Sequence, residues 1–337
     1  MRYAGTLLAL GGIALAVVLF AHQDLAAIGA LLVASGPGLV AAGLFHVLRL
    51  PVSASAWRTL FPAPHRPRLG VATFVNWVRE SVNTLLPVAR VGGELAAFRI
   101  LRSGRMSGTL VASTLIADMT ISLLSQAVFT LVGVALLITR GSQSSVVPTI
   151  AATAALAIPL VVAAILVQRA GALGTIARFG DRLLRGGLGH VMGAIEQVDR
   201  ALLHIYRLPR TIITCLVLQL AAWTLGAVEI WLALYFLGAK SSPLDALIIE
   251  ALIQAISSMA FVVPGALGVQ EGAFLVLGNA LGIDSTTSLA LATARRIRDA
   301  IVFFPGLFAW HRVEERARHR RHEATSRSVG GDNAPPD

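Results

Sequence analysis

Long apolar runs separated by short arginine clusters make up most of the chain. Runs near the ~20 residues that cross a bilayer predict six full spans, at roughly 4–21, 25–50, 106–138, 146–168, 209–237 and 286–310. Two further runs, 70–87 and 243–263, stop at Pro87 and Pro264. Each proline is followed by glycine-bearing backbone and then by a glutamate: Gly92-Gly93-Glu94 in one case, Gly265, Gly268 and Glu271 in the other. Proline removes a backbone donor and clashes with the preceding turn, so a helix ends or kinks there. Both segments therefore read as helix, break, returning helix. Paired interruptions in two halves of a membrane protein point to a site between structural repeats.

Composition agrees with a polytopic membrane chain: 14% of residues are charged, against about 25% in soluble domains, and the mean hydropathy is +0.74. The net charge of +10 does not indicate nucleic acid, because the basic residues sit in loops and tail. Arg58, Arg66 and Arg68, then Arg99, Arg102 and Arg105, the run Arg169–Arg210, and Arg312–Arg327 mark basic connections; 22–24, 141–145, 238–242 and 279–285 are nearly free of positive charge. The positive-inside rule places both termini in the cytoplasm. Segment 70–98 then has both ends inside and 243–282 both ends outside, so each enters and returns from opposite faces. The expected fold is an all-α polytopic membrane protein with an inverted-topology repeat, about six full spans and two opposed re-entrant hairpins. Additional full crossings or long kinked spans are the alternative.

The membrane domain is expected at 1–315, with halves at about 1–140 and 141–315. In register at an offset of 177, Ser81/Ser258, Pro87/Pro264, Ala89/Ala266, Glu94/Glu271 and Ala96/Ala273 match. The topology carries more of the repeat argument than these identities do. Residues 4–20 resemble a signal-peptide core without a cleavage site, which favours a retained first helix. The insert 170–208 shows basic amphipathic periodicity, with Ile195, Val198, Leu202 and Leu203 on its apolar side. It reads either as an interfacial helix against anionic lipid or as a solvated connector. Residues 316–337 read as a disordered basic cytoplasmic tail. Cys215, the single cysteine, suits a small buried residue.

A charge at mid-bilayer costs at least about 2.5–3.5 kcal/mol on insertion scales, so each one is a functional candidate. Here they are Arg79, Glu80, Arg90, Glu94, Asp118, Glu229, Glu250, Glu271, Arg295, Arg296, Arg298 and Asp299. Arg79 and Asn83, spaced i and i+4, share the helix face leading to Pro87; with Arg90 they are candidates for a lipid headgroup phosphate. Glu94 and Glu271 follow glycine turns, where a carboxylate either caps the returning helix or holds a cation, a proton or a cationic headgroup. Asp118 and Arg295 match under the repeat offset and form a candidate ion pair, with Arg295–Asp299 as a local competitor. Glu229 and Glu250 read as packing hydrogen bonders or proton carriers.

No phosphate-binding loop, metal-ligand spacing or nucleophile elbow is present, so no cofactor, metal or catalytic residue is expected and ATP is not the direct driver. Arg79 to Pro87 with Gly92-Gly93-Glu94, and Pro264 to Gly272, resemble the flippase-like transmembrane domain of lysylphosphatidylglycerol synthases over about residues 4–310. The soluble aminoacyl-transferase domain of the full synthases has no counterpart in the sequence. As a stand-alone domain it looks most like the HpnL-type proteins associated with bacterial hopanoid biosynthesis. The resemblance implies an inner-membrane protein that translocates or handles a hopanoid or phospholipid. An accessory scaffold that partners lipid-biosynthesis enzymes and an intramembrane lipid-modifying enzyme are the alternatives.

Overall fold

A computed structural model describes residues 14, 17–21, 23–86, 92–140, 189–259 and 266–330. Every regular element among them is helical: eleven α-helices and a single 3-10 turn at Ala63–His65. Asp24 caps α1 (Leu25–Ala34) by accepting the N–H groups of Ala26 and Ala27. Single residues, Ser35 and Leu48, separate α1 from α2 (Gly36–Val47) and α2 from α3 (Arg49–Thr59). The expected span 25–50 is thus a bent series that continues to Thr59. Its part Gly36–Thr59 is one of three described segments long and apolar enough to cross a membrane. The others are α6 (Gly108–Thr139) and α8 (Pro209–Phe236), which coincide with the predicted spans 106–138 and 209–237. The span expected at 286–310 lies inside α11 (Ser285–Gly330). The span at 146–168 falls wholly outside the described residues, and most of that at 4–21 does too.

Both helix–break–helix segments fold as helix pairs. The first joins α4 (Leu69–Leu85) to α5 (Gly92–Ser103). On α4 the buried positions Val75, Val78, Arg79 and Val82 recur at helical spacing, forming a stripe. Val78, Val82 and Ala96 form one buried cluster, with Ile100 packed against it. Asn83 Oδ1 accepts the Gly93 N–H at 2.9 Å and ties the two arms together. A Cβ at Gly93 would run into the Arg79 carbonyl and the Asn83 amide, so this glycine permits the close approach. The second pair joins α9 (Pro243–Met259) to α10 (Val269–Ala280). There Leu252 and Ile253 pack with Phe274 and Leu277, and Gln270 Nε2 donates to Ser257 Oγ at 3.2 Å. The breaks themselves, 87–91 and 260–265, including Pro87, Arg90, Pro264 and Gly265, lie outside the described residues. α10 is entered through Ala266 and Gly268 at φ 47° and 76°, a left-handed conformation natural to glycine and costly for alanine.

Helices distant in sequence interlock. α4 packs on both α3 and α11, α9 packs on α6 and α8, and α8 contacts α2, α3, α6 and α9. Trp77 on α4 donates its indole N–H to the Val302 carbonyl of α11 at 2.8 Å. α11 carries Pro305 in its interior, and Gly306 beside it faces Ser81 and Trp77 at a separation that leaves no room for a side chain.

Two expectations change here. In α7 (Gly189–Tyr206), the described part of the 170–208 insert, Leu202 and Ile205 are buried with Trp57, Phe61 and Cys215 and the helix packs on α6. Leu202 and Ile205 of its apolar side cover the bundle, which removes them from water. The tail also differs: α11 is helical to Gly330, where disorder was expected from 316. Arg, Glu and Ala are good helix formers, and an existing helix extends without the cost of a new nucleus. Residues 331–337 lie outside the description.

Candidate functional site

Charged side chains meet inside the bundle as two networks. The first centres on Arg79, which is 7% exposed. Its Nε donates to Glu94 Oε1 at 2.7 Å and its Nη1 to Asp118 Oδ2 at 2.5 Å. The other Asp118 oxygen accepts from Gln219 Nε2 at 2.9 Å. One guanidinium therefore joins the two arms of the first hairpin to α6, and an amide from α8 closes the group. Two carboxyl groups share one guanidinium. Glu94 Oε2 is buried with no hydrogen-bond partner.

The second network centres on Glu250 of α9, which is fully buried. Its Oε2 accepts from Arg295 Nη1 at 2.6 Å and its Oε1 from Gln254 Nε2 at 2.8 Å. Arg49 Nη1 stands 3.7 Å from the same Oε1, and the Arg49 guanidinium lies over the Trp223 ring at 4.5 Å. Here two cations share one carboxylate, the reverse of the first cluster. One turn further along α11, Arg298 approaches Glu229 Oε2 at 3.3 Å and Asp299 at 3.2 Å. His46 Nδ1 contacts both Arg298 Nη1 and Glu229 Oε2. Arg296 donates to Glu271 Oε1 at 2.8 Å, while Glu271 Oε2 accepts the Gly268 N–H at 2.7 Å.

α8 connects the two networks. Gln219, Trp223 and Glu229 lie at i, i+4 and i+10, one face of a helix, and reach Asp118, Arg49 and His46 respectively. Buried charges of this kind are stable only when each is paired and hydrogen-bonded.

Arg79, Asn83 and Glu94 come together at the first hairpin. Asn83 acts there as a clamp between the arms, and Arg79 as a bridge between carboxylates. Glu271 caps α10 and also holds Arg296. The pairings expected for Asp118 and Arg295 are corrected: Asp118 takes Arg79, Arg295 takes Glu250, and Asp299 takes Arg298. A matched offset specifies equivalent positions in two repeats, not contact between them. Glu229 and Glu250 each bind a guanidinium. Sequence reasoning missed Arg49 and His46, which stood at the predicted end of a span. Their spacing of three residues, one helical turn in an apolar run, was the available signal.

The chain belongs to the family of the lysylphosphatidylglycerol synthase TM region: the family model matches residues 4–306. It is an all-helical membrane protein of a family tied to lipid handling. No curated protein and no solved structure gives a significant match.

Proposed function

We propose that the protein carries a lipid headgroup through the hydrocarbon region, between leaflets of a bacterial inner membrane, without an ATPase of its own. The observation that carries this reading is the pair of buried charge networks built on two helical hairpins from opposite halves. Charged groups at membrane depth are expensive unless they serve a path, and these are too many for fold stability alone, since apolar packing stabilises as well as buried ion pairs do. In this reading α4–α5 and α9–α10 are opposed re-entrant elements of an inverted repeat, both termini are cytoplasmic, and one half rocks against the other. Arg79 and Asn83 line the headgroup path from the first hairpin, and Glu94 and Glu271 from the returning helices; Arg90, a further headgroup candidate by sequence, lies outside the described residues. Carboxylate partners of Arg79 exchange for headgroup oxygens as the hairpin moves. The cargo is a hopanoid or a phospholipid, as the resemblance to the HpnL-type proteins suggests.

The test is a leaflet-resolved assay: proteoliposomes carrying a fluorescent phospholipid, quenched chemically from the outside. The parent should expose lipid from the inner leaflet faster than empty vesicles, and Arg79→Gln should slow this at least tenfold. Equal rates for parent and empty vesicles, across phospholipid and hopanoid cargo, would sink the proposal. Mass spectrometry of co-purified lipid identifies the cargo.

A further inference from the structure

Of the arginines in the two networks, Arg49 alone makes no hydrogen bond among the described residues; Arg79, Arg295, Arg296 and Arg298 each donate at least one. The cause is visible. Both oxygens of Glu250 are already taken, by Arg295 and Gln254, so Arg49 remains at 3.7 Å, beyond hydrogen-bond range. Its side chain is 20% exposed, so the guanidinium is not sealed inside the bundle. Trp223 covers one face of the guanidinium and is itself fixed by its N–H bond to Ser125 Oγ at 3.0 Å. The result is a flat, pre-oriented cation at the centre of the bundle with its fork unused. Arg295 and Arg298 stand close enough to bear on its charge, as do Glu250 and Glu80. Glu80, on the first hairpin, is half-buried and has no hydrogen-bond or ion-pair partner among the described residues.

We propose that Arg49, backed by Trp223, is an interior anion site that takes two oxygens of a phosphate group, whether a lipid phosphodiester or free phosphate. It rests on the lipid-handling reading only for the source of that phosphate. The guanidinium fork matches two phosphate oxygens, and the adjacent indole favours a cation held in place. Glu80 is the competing anion: it draws on Arg49 when the site is empty and is displaced when phosphate enters.

The full chain in detergent, followed by native mass spectrometry, provides the test. The probes are dioleoylphosphatidylglycerol, dioleoylglycerol as the phosphate-free control, and inorganic phosphate. Arg49→Gln should weaken phosphatidylglycerol binding at least about tenfold, the scale of a lost charge-assisted hydrogen bond, with dioleoylglycerol unchanged. Arg49→Lys should fall between, and Glu80→Gln should bind phosphatidylglycerol more tightly than the parent. Adducts of inorganic phosphate that vanish in Arg49→Gln assign the site to free phosphate; phosphatidylglycerol adducts alone assign it to the headgroup. Unchanged phosphatidylglycerol affinity in both Arg49→Gln and Glu80→Gln would overturn the inference, as would an equal loss for both lipids. If Arg49→Gln does not fold, Glu80→Gln decides. The leaflet assay is separate: an Arg49-dependent affinity with no lipid movement in the parent upholds this site and removes transport.

Discussion

Replacing Arg79 by methionine removes the one guanidinium between Glu94 and Asp118 while keeping a long apolar stem. Two charge-assisted bonds of 2.7 and 2.5 Å disappear, and two carboxylates remain in the interior without a cation. Breaking a buried ion pair from one side costs about 3–5 kcal/mol, a large share of the roughly 5–15 kcal/mol that holds a typical protein folded. At about 2 °C per kcal/mol, the melting temperature should fall by roughly 6–10 °C. Cys215 supplies the assay: it is the single cysteine and fully buried, so a thiol-reactive fluorogenic dye reacts only as the bundle opens. The triple variant Arg79→Met/Glu94→Gln/Asp118→Asn removes all three charges and should recover most of the loss, because neutral groups of similar shape leave no unpaired ion. A single variant that melts within about 2 °C of the parent, or a triple variant no better than the single, would refute the argument that the cation is there to balance the two carboxylates.

Gly93→Ala should loosen the first hairpin, since the added methyl meets the Arg79 carbonyl and the Asn83 amide. A loss of about 1–3 kcal/mol is expected, read as a lower melting temperature by the same thiol assay. Ala266→Gly relieves a left-handed residue at φ 47° and should stabilise by up to about 1 kcal/mol; a lower melting temperature would count against strain at that turn. Asp284 precedes α11 and accepts both the N–H and the hydroxyl of Thr287. Burial acts to raise its carboxyl, but these bonds outweigh it and hold the group below its ordinary range. A depressed folded value contributes stability above the unfolded pKa, and that contribution fades as pH falls through the folded one. Asp284→Ala should therefore cost about 1 kcal/mol at neutral pH, and its denaturation midpoint should converge with the parent's below the ordinary aspartate range.

The two hairpins were legible because proline and glycine act locally. A proline disfavours helix in the residue before it and in its own turn, the described helices stop at Leu85 and Met259, ahead of Pro87 and Pro264, and Glu271 beside Gly268 is a short-range cap. α6 and α8 were legible because an apolar run of bilayer length leaves few alternatives. The partners of the charges were not. Asp118 could be recognised as costly, but Arg79 and Gln219 reach it across 39 and 101 residues, and such distances follow from tertiary packing alone. Arg49 escaped notice because an arginine at the end of an apolar run normally marks the membrane surface, whereas α3 carries the chain on to Thr59. The insert was legible only in part: amphipathic spacing at Ile195, Val198, Leu202 and Leu203 specifies an apolar face but not what covers it.

The contact of Trp77 and Ser81 with α11 at Val302 and Gly306 bears on how this protein is made. An early hairpin is seated by the last helix, more than two hundred residues later in synthesis. Until α11 is in the bilayer, α4 lacks the helix that covers Trp77 and Ser81, and Glu250 lacks Arg295. Nascent chains halted before Ser285 should therefore be held by membrane chaperones or degraded rather than persist as half-proteins. Assembly of the whole bundle waits on contacts of long sequence separation, which form slowly.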